Sequence, residues 1–109
     1  MSYFINCSDR EGSFYVEFNR GEWNDQSHWK DDSILISDTF FEDYIYDIFS
    51  SVIEDFDYFG VNRVTKQQWD KITQLAVQSG NETEAIIKEA DGWVQETLQE
   101  RDYFTILGL

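Results

Sequence analysis

One cysteine and one histidine are all the chain offers in the way of soft metal ligands and easily tuned nucleophiles. Cys7 and His28 have no CxxC, HxxxH or similar partner near them, so a zinc site lacks its ligand set. A thiol–imidazole pair between them has no local support either, because a buried structural cysteine is the commoner state of a lone thiol. A single cysteine excludes an intramolecular disulfide and points to a reducing compartment. Two carboxylates can perform glycosidase chemistry, but among 22 Asp and Glu residues a pair arises by chance and carries no signal. Asp55-Phe56-Asp57-Tyr58-Phe59-Gly60 opens like a calcium loop and then departs from one: Phe59 occupies the fifth position, and Lys66 stands where the bidentate glutamate belongs. No glycine-rich phosphate loop is present. These residues predict no catalytic site, no cofactor and no metal; an enzyme reading would rest on His28 or Cys7 alone.

The chemistry the sequence does supply is charge. Against 22 acidic residues stand 8 basic ones, a formal net charge of −14. Such a field repels nucleic acid and anionic membrane; it attracts cationic partners and speeds their arrival. Solubility alone would give the same sign, so the distribution is more informative than the total. From Asp31 to Asn62 there are nine acidic residues and no Lys or Arg. A helix is predicted within this stretch. At about 100° per residue it places Asp43, Asp47 and Glu54 on one outward side, with Tyr46 and Ser50 between them. The i, i+4 spacing of Asp43 and Asp47 costs an isolated helix roughly 0.2–0.5 kcal/mol. A repulsive face that folding does not need is a candidate docking face, and Asp43, Tyr46, Asp47, Ser50, Glu54 and Asp57 are its candidate residues. Tyr46 would add an aromatic contact of the kind enriched at interfaces. A merely solvated helix face is the competing reading.

The elements that must hold these residues follow from periodicity. With 109 residues, 41% hydrophobic and 17% aromatic, the chain is expected to form a single domain, 1–109, with one core. Tyr3 to Ser8 and Ser13 to Asn19 read as strands around the turn Ser8-Asp9-Arg10-Glu11-Gly12, which suggests a hairpin with Phe14, Val16 and Phe18 on one face and Tyr15 and Glu17 on the other. Arg20 to Asp32 is polar; Trp23 and Trp29 within it are either interface anchors or plugs at the core edge. Ser33 to Ile36 is a short third strand. Thr39 and Glu42 fit a capping box, with Asp38 as a rival cap. The apolar stripe then runs through Phe41, Tyr44, Ile45, Ile48, Phe49, Val52, Ile53 and Phe56. Tyr58 to Val64 is a connector with some strand character. A second helix opens on a Thr65/Gln68 capping box, buries Trp69, Ile72, Leu75 and Ala76, and stops at Gly80. A third begins at Asn81-Glu82-Thr83-Glu84 and turns Ile87, Ala90, Val94 and Leu98 inward. Tyr103 to Leu107 is a terminal strand. The expected fold class is α+β: a small antiparallel sheet, an N-terminal hairpin plus the C-terminal strand, packed against about three helices.

A small acidic α+β chain with the segment Asp57-Tyr58-Phe59-Gly60-Val61-Asn62-Arg63-Val64-Thr65-Lys66-Gln67-Gln68-Trp69 and the ending Phe104-Thr105-Ile106-Leu107-Gly108-Leu109 resembles, in overall style, bacterial toxin-immunity proteins of the contact-dependent or polymorphic type. The resemblance implies a cytoplasmic protein that binds a cognate toxin domain and blocks its active site or substrate surface. Many such toxins are nucleases, which must present a positive surface to phosphate. The implied partner is therefore a basic protein, with no direct binding of nucleic acid or membrane by this chain. The alternative is an acidic mimic of DNA that inhibits a DNA-binding protein; carboxylates spaced like phosphates across more than one helix would favour it.

Overall fold

Alternate side chains of a strand point to opposite faces of its sheet, and here one face carries Phe4, Val16, Phe18, Ile36, Val64, Phe104 and Ile106 into a common core with the helices. A computed structural model describes residues 2–20 and 30–108. In chain order the elements are β1 (Phe4–Asn6), β2 (Tyr15–Asn19), β3 (Ile34–Ser37), α1 (residues 38–52), β4 (Val61–Thr65), α2 (Lys66–Ser79), α3 (Asn81–Glu100) and β5 (Tyr103–Leu107). The fold is α+β, a five-stranded antiparallel sheet of order β1-β3-β2-β5-β4 packed with three helices. No helix of the described residues is long and apolar enough to cross a membrane.

The expected N-terminal hairpin does not form. β3 lies between β1 and β2 and pairs antiparallel with both, Ile5 opposite Leu35 and Val16 opposite Ile36. Leu35 and Ile36, adjacent and therefore on opposite faces, are both fully buried. A strand apolar on both faces belongs inside a sheet, which leaves the three-residue β1 at the edge. Phe14 does not join Val16 and Phe18; it precedes β2 and is 71% exposed.

The second face of the sheet is also buried, and it is polar. Glu17, on the central strand, has Leu35 and Leu107 as its cross-strand neighbours, and Asn19 lies opposite Thr105. Glu17 is 1% exposed. Its Oε2 accepts from the Ser33 hydroxyl at 2.6 Å, the Lys30 amide at 3.2 Å and the Asn19 side chain at 3.3 Å. Three donors are what make a carboxylate tolerable in such a place. They also tie β2 to the approach to β3. The ends of the intervening loop are held a second time: Arg20 donates to the Thr97 hydroxyl, pairs with Glu96 at 3.0 Å and lies 4.8 Å from the Trp93 ring centroid. Trp93 in turn donates to the Asp32 carbonyl. His28, Trp23 and Trp29 lie outside the described residues.

The helices keep the predicted inner faces with local changes. In α2 the Thr65/Gln68 capping box is complete, Trp69, Ile72 and Ala76 are buried, and Gly80 closes the helix at φ +67°. Leu75 is only half-buried. In α3 the buried set is Ile86, Ile87, Ala90, Val94 and Thr97, with Leu98 packed against its edge. Asn81 makes no capping bond. Thr83 donates instead to the Tyr44 carbonyl at 2.7 Å, joining the start of α3 to α1.

Candidate functional site

α1 differs most from expectation, and the candidate docking residues ride on it. Its cap is Ser37, whose hydroxyl accepts from the Phe40 amide at 3.2 Å, rather than Thr39. After one α turn (Asp38–Phe40) the helix widens into a π turn (Phe41–Ile45), in which the Tyr46 amide reaches back five residues to the Phe41 carbonyl. The α ladder resumes at Tyr46 and ends at Val52. The extra residue changes which side chains face inward. Phe41, Ile45 and Phe49 are buried, whereas Tyr44, expected inside, is 36% exposed.

Because the helix stops at Val52, Glu54 is not on the helical face with Asp43 and Asp47. Ile53 takes an extended conformation and Asp55 a left-handed one at φ +59°. Asp43 and Asp47 are exposed one turn apart, and Ser50 is exposed with its hydroxyl returned to the Asp47 carbonyl at 3.1 Å. Tyr46 is half-buried rather than outward. It meets Phe56 edge-on at 5.9 Å and Tyr58 at 5.4 Å.

Asp57 is a turn-former. Its Oδ1 accepts from the Phe59 amide at 3.0 Å, its carbonyl from the Gly60 amide at 3.1 Å, and the Asn62 side chain brackets its backbone from both sides. Gly108, just past β5, donates to the Gly60 carbonyl at 2.9 Å. A Cβ at Gly108 would overlap the Tyr58 carbonyl, so only glycine lets the strand end approach the turn this closely. The outcome is a fixed 57–60 turn that holds Phe59 out in solvent, 74% exposed.

Between this turn and α1 lies an open cleft of about 360 Å³, lined by Glu42, Tyr46, Tyr58 and Phe59. Tyr58 stacks against Phe41, ring centroids 5.5 Å apart and planes 6° from parallel. The residue is 9% exposed, and its hydroxyl makes no hydrogen bond of good geometry. Burial, then the charges of Glu42 and Asp38, push this phenol up to about 12. Neither Tyr58 nor Phe59 stood out in the sequence, where their signal was limited to an aromatic pair before Gly60.

A second hollow, about 300 Å³, runs between α2 and α3 past Thr73, Val77, Lys88 and Asp91. Its charges have partners: Lys88 pairs with Glu84 at 3.2 Å, and Asp91 accepts from the Trp69 indole and the Gln95 amide. The Tyr58 cleft is the better candidate because a polar group in it is unsatisfied.

No protein-family model, curated protein or solved structure matches this chain.

The acidic residues fall into two groups. Outside α1 and the turn after it, several have structural work. Glu17 anchors β3, Glu89 accepts from the Tyr3 and Phe4 amides, Asp91 holds the Trp69 indole, and Asp70, Glu84 and Glu96 pair with Lys66, Lys88 and Arg20. In contrast, among the described residues Asp43, Asp47, Glu54 and Asp55 accept no hydrogen bond and meet no cation. Also among the described residues, no group of three or more His, Cys, Asp or Glu side chains is arranged to hold a metal ion. Cys7, half-buried, donates to the Lys30 carbonyl at 2.8 Å. Burial and the Glu17 charge push its thiol up, away from the thiolate that nucleophilic chemistry requires.

Proposed function

We propose that this chain is a non-catalytic acidic binding protein that captures a cationic protein partner on α1 and the turn following it. One observation carries the reading: Asp43, Asp47, Glu54 and Asp55 have no partner among the described residues, whereas acids elsewhere are hydrogen-bonded or ion-paired within the fold. Unpaired like charges on one helix cost stability, and a basic surface relieves that cost on docking. The half-buried Tyr46 and the exposed Phe59 beside them supply aromatic contact area. The partner class we favour is a toxin domain, chiefly a nuclease whose phosphate-binding surface is basic. The chain would neutralise it in the cytoplasm by stoichiometric occupation of that surface. The carboxylates gather on one helix and its adjoining turn rather than across several helices, which favours this reading over a mimic of DNA.

The test has two parts. The gene's neighbourhood is inspected for a secreted protein with a variable C-terminal domain, and the chain is co-expressed with that domain. The Asp43→Lys/Asp47→Lys double variant should then associate about tenfold more slowly at low salt, the difference shrinking as salt rises. Its circular dichroism and thermal midpoint should stay unchanged. Unaltered association kinetics would refute the placement.

A further inference from the structure

We propose that the cleft between Glu42, Tyr46, Tyr58 and Phe59 receives a single arginine side chain of the protein partner, its guanidinium donating to the Glu42 carboxylate and the Tyr58 hydroxyl oxygen and packing against the Tyr46 and Phe59 rings. The inference rests on the docking reading above and names its anchor.

Three independent features meet there. The first is the Tyr58 hydroxyl: the residue is nine-tenths buried, yet among the described residues this is the one buried side-chain oxygen or nitrogen left without a hydrogen-bond partner. A buried polar group without a partner marks a place where one is missing. The second is charge. Glu42 and Asp38 both act on that hydroxyl, and among the described residues no lysine or arginine pairs with either. The third is preorganisation. Phe59 is held in solvent by the Asp57–Gly60 turn and the Gly108–Gly60 bond, so little freedom remains to be lost when a ligand arrives.

The chemistry selects the occupant. A divalent cation seeks six or more oxygen ligands, and the cleft offers one carboxylate and a neutral phenol. An anion is repelled. An ammonium ion is compact and strongly hydrated, so it loses much on entering an aromatic-lined site. A guanidinium is planar and weakly hydrated, stacks on rings, and has donors enough for two acceptors at once. Tyr58 remains protonated throughout the neutral range and is therefore available as a neutral acceptor.

The experiment uses the full isotope-labelled chain titrated with N-acetyl-arginine amide, and separately with N-acetyl-lysine amide, following backbone amide resonances. The expected result is saturable shifts concentrated at Glu42, Tyr46, Tyr58 and Phe59, with the arginine compound binding more tightly. Tyr58→Phe and Glu42→Gln should each weaken it by about tenfold, the loss of one hydrogen bond to a charged group. Tyr58→Phe keeps the ring that packs on Phe41, and Glu42 is exposed, so both variants should melt like the parent. Shifts spread along Asp43 and Asp47 with no preference for arginine would overturn the pocket, as would unchanged affinity in both variants. If Tyr58→Phe leaves partner binding intact while Asp43→Lys/Asp47→Lys slows it, the anchor is wrong and the docking face stands. If arginine binds the cleft as stated but the double variant associates normally, the docking face is wrong and the pocket stands.

Discussion

The Trp69 indole donates to the Asp91 carboxylate at 2.9 Å, closing a contact between α2 and α3 that spans 22 residues of sequence. Trp69 is fully buried and meets Phe104 edge-on at 5.7 Å, so its N–H has no route to water. Asp91, which sequence reading would leave as one more solvated acid, is the partner that makes this tryptophan acceptable in the core.

Asp91→Ala should therefore destabilise the chain by about 1–3 kcal/mol, the usual cost of stranding a buried donor. Asp91→Asn keeps an acceptor oxygen in place and should cost less. Urea unfolding followed by tryptophan fluorescence measures both, with an unchanged m-value showing that the native state itself is intact.

Tyr58→Phe should be neutral or mildly stabilising at neutral pH, because it removes a buried hydroxyl that satisfies nothing. The same variant should change the alkaline limb of stability. The Tyr58 phenol rises to about 12 in the folded chain from an ordinary value near 10. The folded state therefore holds its proton more tightly, and that contribution is fully present below pH 10. Between pH 10 and 12 the unfolded chain gives up the proton first, so stability declines with pH across this window. Phenylalanine should flatten that decline, which thermal melts at stepped alkaline pH would detect.

Gly108→Ala should destabilise by about 1–3 kcal/mol or more, the range for forcing extra atoms into a packed site. The added methyl meets the rigid backbone of Tyr58 rather than a side chain that can step aside. Because the 57–60 turn lines the cleft, amide resonances of Phe59 and Gly60 should move with the melting temperature. A variant that melts like the parent would show that the strand end is not tied to the turn.

Where a signal is local, sequence reading reached it. The Thr65/Gln68 box and the Gly80 stop depend on residues within a turn of each other, and the alternation of Tyr103–Leu107 reports its own burial. Pairing is not local. Nothing in Tyr3 to Asn19 announces that Ile34–Ser37 will slide between the two strands, since that depends on a partner beyond a long loop. Glu17 looked like an outward strand position, because alternation assigns a face without saying whether that face is covered. At the candidate site, the exposure of Asp43, Asp47 and Ser50 was legible. The cleft was not, because a regular 3.6-residue period carried Glu54 and Phe56 onto a helix that ends at Val52.

The wide turn at Phe41–Ile45 amounts to one additional residue wound into an otherwise ordinary helix. Excising one residue there restores regular winding and turns everything downstream by about 100°. Phe49 would leave its place against Phe18 and Phe41, and Asp47 would swing away from Asp43. A homologue lacking that residue would therefore show a gap at this point together with a shifted apolar phase in the half of the helix that follows. The paired presence or absence of those two changes is a signature by which distant relatives could be recognised when ordinary similarity has faded.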